Sequence, residues 1–328
     1  MKKLHQKRTQ TLVEQDFISQ EQAAEINNYR NRDFFSLYNE LKILLYLSVI
    51  MFSSGMGILI YQNIDTIGHT AILSLLLILI LVSFYFCFKN FDGFKKTETT
   101  FSNPVFDYLV LAANLLSCIF IGYLQLQYNT FGTHYELATL VPTLVSFFCA
   151  YYFDNKSSLS IAISGLTAYI GLSINPTAIL DNQIYENPDL TYSALGLGIL
   201  LILWTIYSEK SKLKEHFSFI ILTFALHLIS IACIANLFET YWFVFELILG
   251  LSIIYFYFKS IESKALSLFF FLHIYAYIGF NVLLFKIIDL LSSFINFEFY
   301  ILLGPVYFVG SILLFTKQIK NFNKKNNK

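Results

Sequence analysis

A chain of 328 residues that is 56% hydrophobic and only 13% charged, with a mean hydropathy of +0.59, lies outside the range of soluble globular proteins. Its 22 basic residues are balanced by 22 acidic ones, so the net positive charge expected of a nucleic-acid-binding protein is absent. The composition therefore predicts that the partner of this chain is the lipid bilayer.

The first forty residues are polar, and the first apolar run begins near Ile43. A signal peptide would place its apolar run earlier, so we expect the first membrane helix to be retained. Within this tail, Ser19 and Gln22 have the S-x-x-Q spacing of a capping box, which predicts the start of a helix. We predict that residues 1–42 form two short helices packed as a small hairpin. The alternative is a solvated tail that only delivers positive charge.

Apolar runs long enough to cross about 30 Å of hydrocarbon can be placed about ten times, which predicts an all-α polytopic membrane protein. The bundle occupies residues 43–316, and residues 317–328 form a basic tail. The predicted spans are 43–62, 68–88, 105–127, 136–153, 158–175, 192–207, 217–237, 241–258, 265–285 and 299–316.

The basic residues test this helix count independently, because lysine and arginine accumulate in cytoplasmic loops. With ten spans, 21 of the 22 basic residues fall in the two tails and in alternate loops, and only Lys286 falls on the other side. We therefore expect both the N-terminus and the C-terminus to be cytoplasmic.

The first two spans are joined by Gln62 to His69, a stretch without lysine or arginine that carries the turn-forming residues Asn63, Asp65 and Gly68. These residue types predict a hairpin tip on the outer side.

The segments "LVEQDFISQEQAAEINNY" and "LLYLSVIMFSSGMGILIYQNIDTIGH" resemble the start of a bacterial family described only as a predicted membrane protein of unknown function. The resemblance covers roughly residues 10–75 and implies a multi-pass protein of the bacterial inner membrane, with no assigned activity. Its features fall on Leu12, Asp16, Ile18, Ser19, Glu21, Gln22, Gly55, Gly57, Tyr61 and Asn63.

Two pairs of glycines, Gly55 with Gly57 and Gly196 with Gly198, lie in the first helix of each five-helix half of the bundle. They lack the third glycine of a dinucleotide fingerprint, and small residues allow close approach of a neighbouring helix, so we interpret all four as helix-packing positions. Two halves of five helices would be inverted relative to each other, as in many secondary transporters. The helix count also resembles that of the drug and metabolite transporter superfamily.

Polar side chains at membrane depth are the candidate functional residues, because burying a charge there costs at least about 2.5 kcal/mol. Glu246 lies roughly 8 Å below the outer boundary at 1.5 Å per residue. His227 and His273 lie near the middle of their helices, and His227 could approach Glu246 as a proton-relay pair. Asn281 and Asn114 complete the candidate polar core. For each, the alternative is a structural hydrogen bond to a neighbouring group.

The sequence contains no signature of a cofactor site, a metal site or an enzyme: no Walker lysine, no HExxH helix and no CxxC pair. Cys87, Cys118, Cys149 and Cys233 all lie in apolar runs and are interpreted as packing residues.

Two functions remain open. In the first, the bundle moves or senses a small solute through its polar core, with or without coupling to a proton. In the second, the protein is structural or regulatory and acts through a cytoplasmic protein that binds its N-terminal segment.

Overall fold

The structure is a computed structural model that describes residues 12, 13, 15, 17–23, 25, 38–176, 179, 187–291 and 297–326. These residues form helices and connecting turns, and no strand occurs among them. The all-helical fold predicted from the apolar runs is confirmed.

The chain divides into two compact units, Met1–Met51 and Phe52–Lys328. In the first unit the Ser19 amide donates to Gln22 Oε1 at 2.9 Å, and the Gln22 amide donates to Ser19 Oγ at 3.2 Å. These reciprocal bonds confirm the capping box, and Gln20 to Ala23 are helical. The hairpin packing predicted for residues 1–42 lies outside the described residues.

Ten long helices follow among the described residues, each close to one predicted span. They are α1 (Tyr38–Ile67), α2 (His69–Lys89), α3 (Val105–Tyr128), α4 (Tyr135–Phe153), α5 (Lys156–Ile174), α6 (Pro188–Ser211), α7 (Ser218–Ala235), α8 (Trp242–Glu262), α9 (Leu266–Leu291) and α10 (Phe297–Asn326), with a 3₁₀ turn at Glu215–Phe217 before α7.

Nine of the helices in the described part of the chain, α1 to α9, are long and apolar enough to cross a membrane. The tenth predicted span, 299–316, falls within α10, and the side chains of its first five residues lie outside the described residues. Helix α10 continues to Asn326, through most of the predicted tail. The predicted turn from Gln62 to His69 is confined to Gly68, whose φ of 83° suits glycine.

Several helices end in the same way, with a residue in the left-handed region. At the end of α8 the Ala265 amide donates to the Ser260 carbonyl, and the Lys264 amide donates to the Ile261 carbonyl. This is a Schellman motif, in which Lys264 (φ 53°) occupies the position that glycine favours. Asp154 after α4 and Lys212 after α6 have the same backbone conformation.

Replacing Lys264 with glycine is expected to raise the free energy of unfolding by about 1 kcal/mol, because glycine removes the cost of a side chain in the left-handed region. This change in free energy would be measured by unfolding the purified protein in mixed micelles with an increasing fraction of detergent. The matched control is Ser263→Gly: Ser263 has an ordinary φ of −81°, so glycine there should destabilise instead. Equal effects at the two positions would contradict this interpretation.

Helix α7 is the centre of the second unit and packs against α5, α6, α8 and α9. Its buried apolar side chains recur three or four residues apart, with two adjacent pairs, so they form one broad face of the helix. They are Ile221, Leu222, Ala225, Leu226, Ile229 and Cys233. Helices α4 and α5, joined by only two residues, make the most extensive contact, and Gly165 on α5 allows Thr143 on α4 to approach closely.

Among the described residues, Gly198 is the one predicted helix-packing glycine whose Cβ position would meet atoms of another helix. A Cβ atom at Gly198 would lie 2.5 Å from Ile229 Cγ1, so α6 and α7 can approach only because this position is glycine. A Cβ atom at Gly55, Gly57 or Gly196 would meet no atom within 4 Å. For these three the packing interpretation stays a prediction, since no described neighbour approaches their Cβ positions.

Candidate functional site

The polar residues predicted to form one core are distributed over several places in the bundle. Among the described residues, no hydrogen bond or ion pair joins any two of Glu246, His227, His273, Asn281 and Asn114. Each has its own neighbours, and these neighbours indicate what each side chain can do.

His227 on α7 faces α9, where its Nδ1 lies 2.7 Å from the Tyr275 hydroxyl. Its ring also packs edge-on against Phe271, with 4.8 Å between centroids. On the other side it borders a cavity of about 420 Å³ that is shared by α5, α6 and α7 and includes Ser164, Thr167, Thr191 and Ala194. The proton-relay pair of His227 and Glu246 stays a prediction: the described partner of the His227 imidazole is the Tyr275 hydroxyl.

Glu246 on α8 lies against α9 at Gly279, where a Cβ atom would be 3.2 Å from Glu246 Oε1. Glu246 Oε2 is buried and has no hydrogen-bond partner among the residues that the structure describes. A carboxyl oxygen without a partner inside a membrane bundle is costly, so this group needs a proton or a ligand.

His273 and Asn281 lie on α9 and face α10. His273 Nδ1 lies 2.7 Å from the carbonyl of Phe269, one turn earlier in the same helix, which satisfies that nitrogen locally. The Asn281 amide donates to the Tyr277 carbonyl, and its oxygen accepts a hydrogen bond from the Tyr307 hydroxyl at 3.1 Å. Asn281 therefore joins α9 to α10, which is the structural alternative left open by the sequence.

Asn114 is fully buried on α3, and its Oδ1 accepts a hydrogen bond from Ser146 Oγ on α4 at 2.9 Å. Its Nδ2 has no partner within the described part of the chain. This bond joins two neighbouring helices far from the other four residues.

The strongest concentration of charge lies at the end of the bundle that carries most of the basic loop residues. We call it the basic end, and it comprises the connections 90–104, 154–155, 212–217 and 263–265. At its centre Asp154 accepts hydrogen bonds from the Thr99 amide at 2.6 Å, from Lys214 Nζ at 2.9 Å and from His216 Nε2. The Lys214 amide donates in turn to the Lys96 carbonyl at 2.7 Å. We call Asp154, Lys214, His216 and Thr99 the Asp154 hub.

The Asp154 hub is buried: the side chains of Asp154 and Lys214 are 1% and 0% exposed. In a buried ion pair each charge needs its partner, because removing one charge leaves the other buried and uncompensated. The hub joins three connections that are far apart in sequence, and thereby fixes the ends of α2, α4 and α6 together. Asn155 extends it by capping α5 through Ser158 and bonding Asp107 on α3 at 2.8 Å.

A cavity of about 580 Å³ opens beside the hub, with His216 in its wall. Glu98 lies at its edge and accepts a hydrogen bond from Lys156 at 2.7 Å. This hydrogen bond holds the pKa of Glu98 below its usual range, although partial burial opposes it. Glu98 thus stays ionised near neutral pH.

The sequence interpretation missed both the hub and the cavity, because the lysines of these loops were used only to assign topology. One signal was available. Asp154 and Asn155 are the entire connection between two apolar runs, and acidic and amide side chains in so short a turn commonly bond to backbone amides. The partner Lys214, 60 residues later, could not be identified without the packing.

Comparison with known proteins is consistent with this architecture. Residues 10–159 match the sequence profile of a family described as predicted membrane protein (DUF2157). The resemblance predicted over residues 10–75 is confirmed and extends further, into α5. No curated protein and no solved structure matches the chain. The family description names no activity, so a function has to be argued from the site.

Proposed function

We propose that this is a multi-pass protein of the bacterial inner membrane that moves or senses a small solute through its helical bundle, with Glu246 as a proton-carrying group. The observation that supports this most directly is the buried Oε2 of Glu246, which has no hydrogen-bond partner among the described residues. We assign the protein a role in binding and moving a solute, and not in catalysis.

The surroundings of Glu246 suit a carboxyl that takes up and releases a proton. An ionised carboxylate in a membrane helix costs about 2.5–3.5 kcal/mol on insertion scales, so the neutral acid is the cheaper form in the absence of a cation. Because residue 279 is glycine, the carboxyl packs closely against α9, where a Cβ atom would lie 3.2 Å from Glu246 Oε1. A solute or cation that reached this position would compensate the charge and allow the proton to leave.

The distribution of basic residues supports a proposal for which end of the bundle faces the cytoplasm. The basic end carries Lys95, Lys96, Lys212, Lys214 and Lys264, and lysine-rich loops remain cytoplasmic during insertion. We therefore place the basic end in the cytoplasm, with both termini on the same side and Glu246 nearer the outer face.

A hydrophobic carbodiimide tests the role of Glu246, because such reagents modify protonated carboxyls in apolar surroundings. We expect mass spectrometry of the bilayer-embedded protein to find strong modification of Glu246 at about pH 5 and less at about pH 9. Glu239, an exposed carboxylate in the preceding turn, is the matched control and should remain unmodified. Protection of Glu246 by an added solute would identify that solute as a ligand.

Absence of modification at every pH would overturn the proton-carrying role. The variant Glu246→Gln provides the functional comparison. It should keep the fold, because Oε2 contributes no hydrogen bond to a described residue, but it should abolish any solute-dependent proton uptake into liposomes that enclose a pH-sensitive dye. If Glu246→Gln shows the same solute-dependent proton uptake as the wild-type protein, another group carries the proton.

A structural or regulatory role through the N-terminal segment is the second candidate. The observation that favours it is the closed capping box of Ser19 and Gln22, which gives this polar tail an ordered helix start. If deletion of residues 1–36 abolishes the cellular role while Glu246→Gln leaves it intact, the regulatory role is correct and the solute role is wrong.

A further inference from the structure

The cavity of about 580 Å³ at the basic end has the size of a small-molecule site, since such sites commonly enclose about 300–1,000 Å³. It is built from the loop at 96–98, the 3₁₀ turn, the start of α7 and the end of α8. These elements are held in place by the buried Asp154 hub, which includes His216 from the cavity wall. The cavity is therefore organised by a rigid support.

Part of the charge in this cavity is already neutralised. Lys259 Nζ lies 2.9 Å from Glu209 Oε2 and 3.0 Å from Glu262 Oε2, so these three side chains form one network. Glu98 is paired with Lys156. These groups give the cavity a polar wall without offering an unpaired charge to a ligand.

Three further charged side chains line the cavity without a charged partner in the part of the chain that the structure describes. They are Lys96, Lys212 and Glu215. The cavity therefore presents positive charge and negative charge at the same time. Its lining has three lysines and four glutamates, so a simple anion would gain little net attraction.

The floor of the cavity is apolar and is formed by Phe219, Leu222 and Leu268. Leu222 and Leu268 are almost completely buried, at 3% and 1% exposure, so they give the site a closed bottom. A ligand that fits must combine two opposite charges at its polar end with a part that tolerates contact with hydrocarbon.

We propose that this cavity binds a zwitterion, a molecule that carries an ammonium group and an anionic group. The anionic group pairs with Lys96 and Lys212, the ammonium pairs with Glu215, and the apolar part contacts Phe219 and Leu222. A free solute such as an amino acid has this chemistry, and so does a phosphoethanolamine lipid headgroup. The site is separate from Glu246, so the inference goes beyond the proposed function.

Binding measurements on the full-length protein test the inference and separate the two sources. Calorimetric titration in detergent uses leucine and O-phosphoethanolamine as soluble zwitterions, with inorganic phosphate as the simple anion. The protein is also incubated in mixed micelles of phosphatidylethanolamine and phosphatidylglycerol. Native mass spectrometry then shows which lipid it retains. We expect saturable binding of a soluble zwitterion for a solute site, or preferential retention of phosphatidylethanolamine for a headgroup site.

The variants Lys212→Gln and Glu215→Gln should each weaken that binding about tenfold, because a hydrogen bond to a charged group is lost. Lys210→Gln is the matched control: Lys210 lies beside the same loop but does not line the cavity, so binding should be unchanged. Melting temperatures should be unaffected, since both lining side chains are exposed. Inorganic phosphate binding as well as the zwitterions, no binding of any probe, or equal losses in Lys210→Gln and Glu215→Gln would overturn the proposal. None of these readouts depends on Glu246.

Discussion

Replacing Asp154 with asparagine is expected to lower the free energy of unfolding by about 3–5 kcal/mol, because it leaves the buried ammonium of Lys214 without its counter-charge. Asparagine has nearly the shape of aspartate and tolerates the left-handed backbone at this position (φ 61°), so the substitution isolates the charge. Detergent-induced unfolding in mixed micelles, followed by circular dichroism, would measure the loss.

Two controls make this result interpretable. Asp92→Asn is the same substitution at the same end of the bundle, but Asp92 is 76% exposed and lies 3.5 Å from Lys95, so we expect a loss below about 1 kcal/mol. Adding Lys214→Met to Asp154→Asn removes the uncompensated charge and should restore part of the stability. If Asp154→Asn alone is as mild as Asp92→Asn, the Asp154 hub does not hold the three connections together.

Replacing Gly198 with alanine is expected to destabilise the bundle by about 1–3 kcal/mol through overpacking between α6 and α7. The added methyl would lie 2.5 Å from Ile229 Cγ1 and 3.4 Å from the carbonyl oxygen of Ala225, so either a side chain or a helix has to move.

Gly196→Ala is the matched control, two residues away on the same helix, because a methyl there meets no atom within 4 Å. It should be neutral or slightly stabilising, since alanine favours a helix more than glycine does. The same unfolding experiment compares the two. Equal losses would show that α6 faces α7 differently, and Ile229→Ala combined with Gly198→Ala should recover stability if the collision is with Ile229.

The helices were predictable because the bilayer imposes a simple requirement on the sequence. A span needs about twenty apolar residues, so runs such as 105–127 and 136–153 agree with α3 and α4 to within one residue at each end. The capping box of Ser19 and Gln22 was predictable for a similar reason, since its bonding is local. Helix ends were harder to locate where helical turns continue beyond the apolar run, as in α1 and α10.

The candidate site was less predictable because it depends on which faces of the helices meet. Hydropathy places His227 and Glu246 at membrane depth, but it does not show that His227 turns toward Tyr275 and Glu246 toward Gly279. Sequence spacing treats Gly196 and Gly198 alike, although only Gly198 faces another helix. When a helix is apolar on nearly every side, its sequence gives little indication of which face packs against a neighbouring helix.

The long separation between the members of the Asp154 hub has a consequence for how the protein is made. Asp154 leaves the ribosome 60 residues before Lys214, which is roughly 3–12 s at synthesis rates of about 5–20 residues per second. During that interval α4 and α5 can already be inserted, while the one described partner of the Asp154 side chain from the earlier part of the chain is the backbone amide of Thr99. Lys214 and His216 both follow α6, so the hub can close only after the chain has been synthesised through α6. The buried carboxylate of Asp154 therefore has to wait for its counter-charge while the polypeptide is still growing.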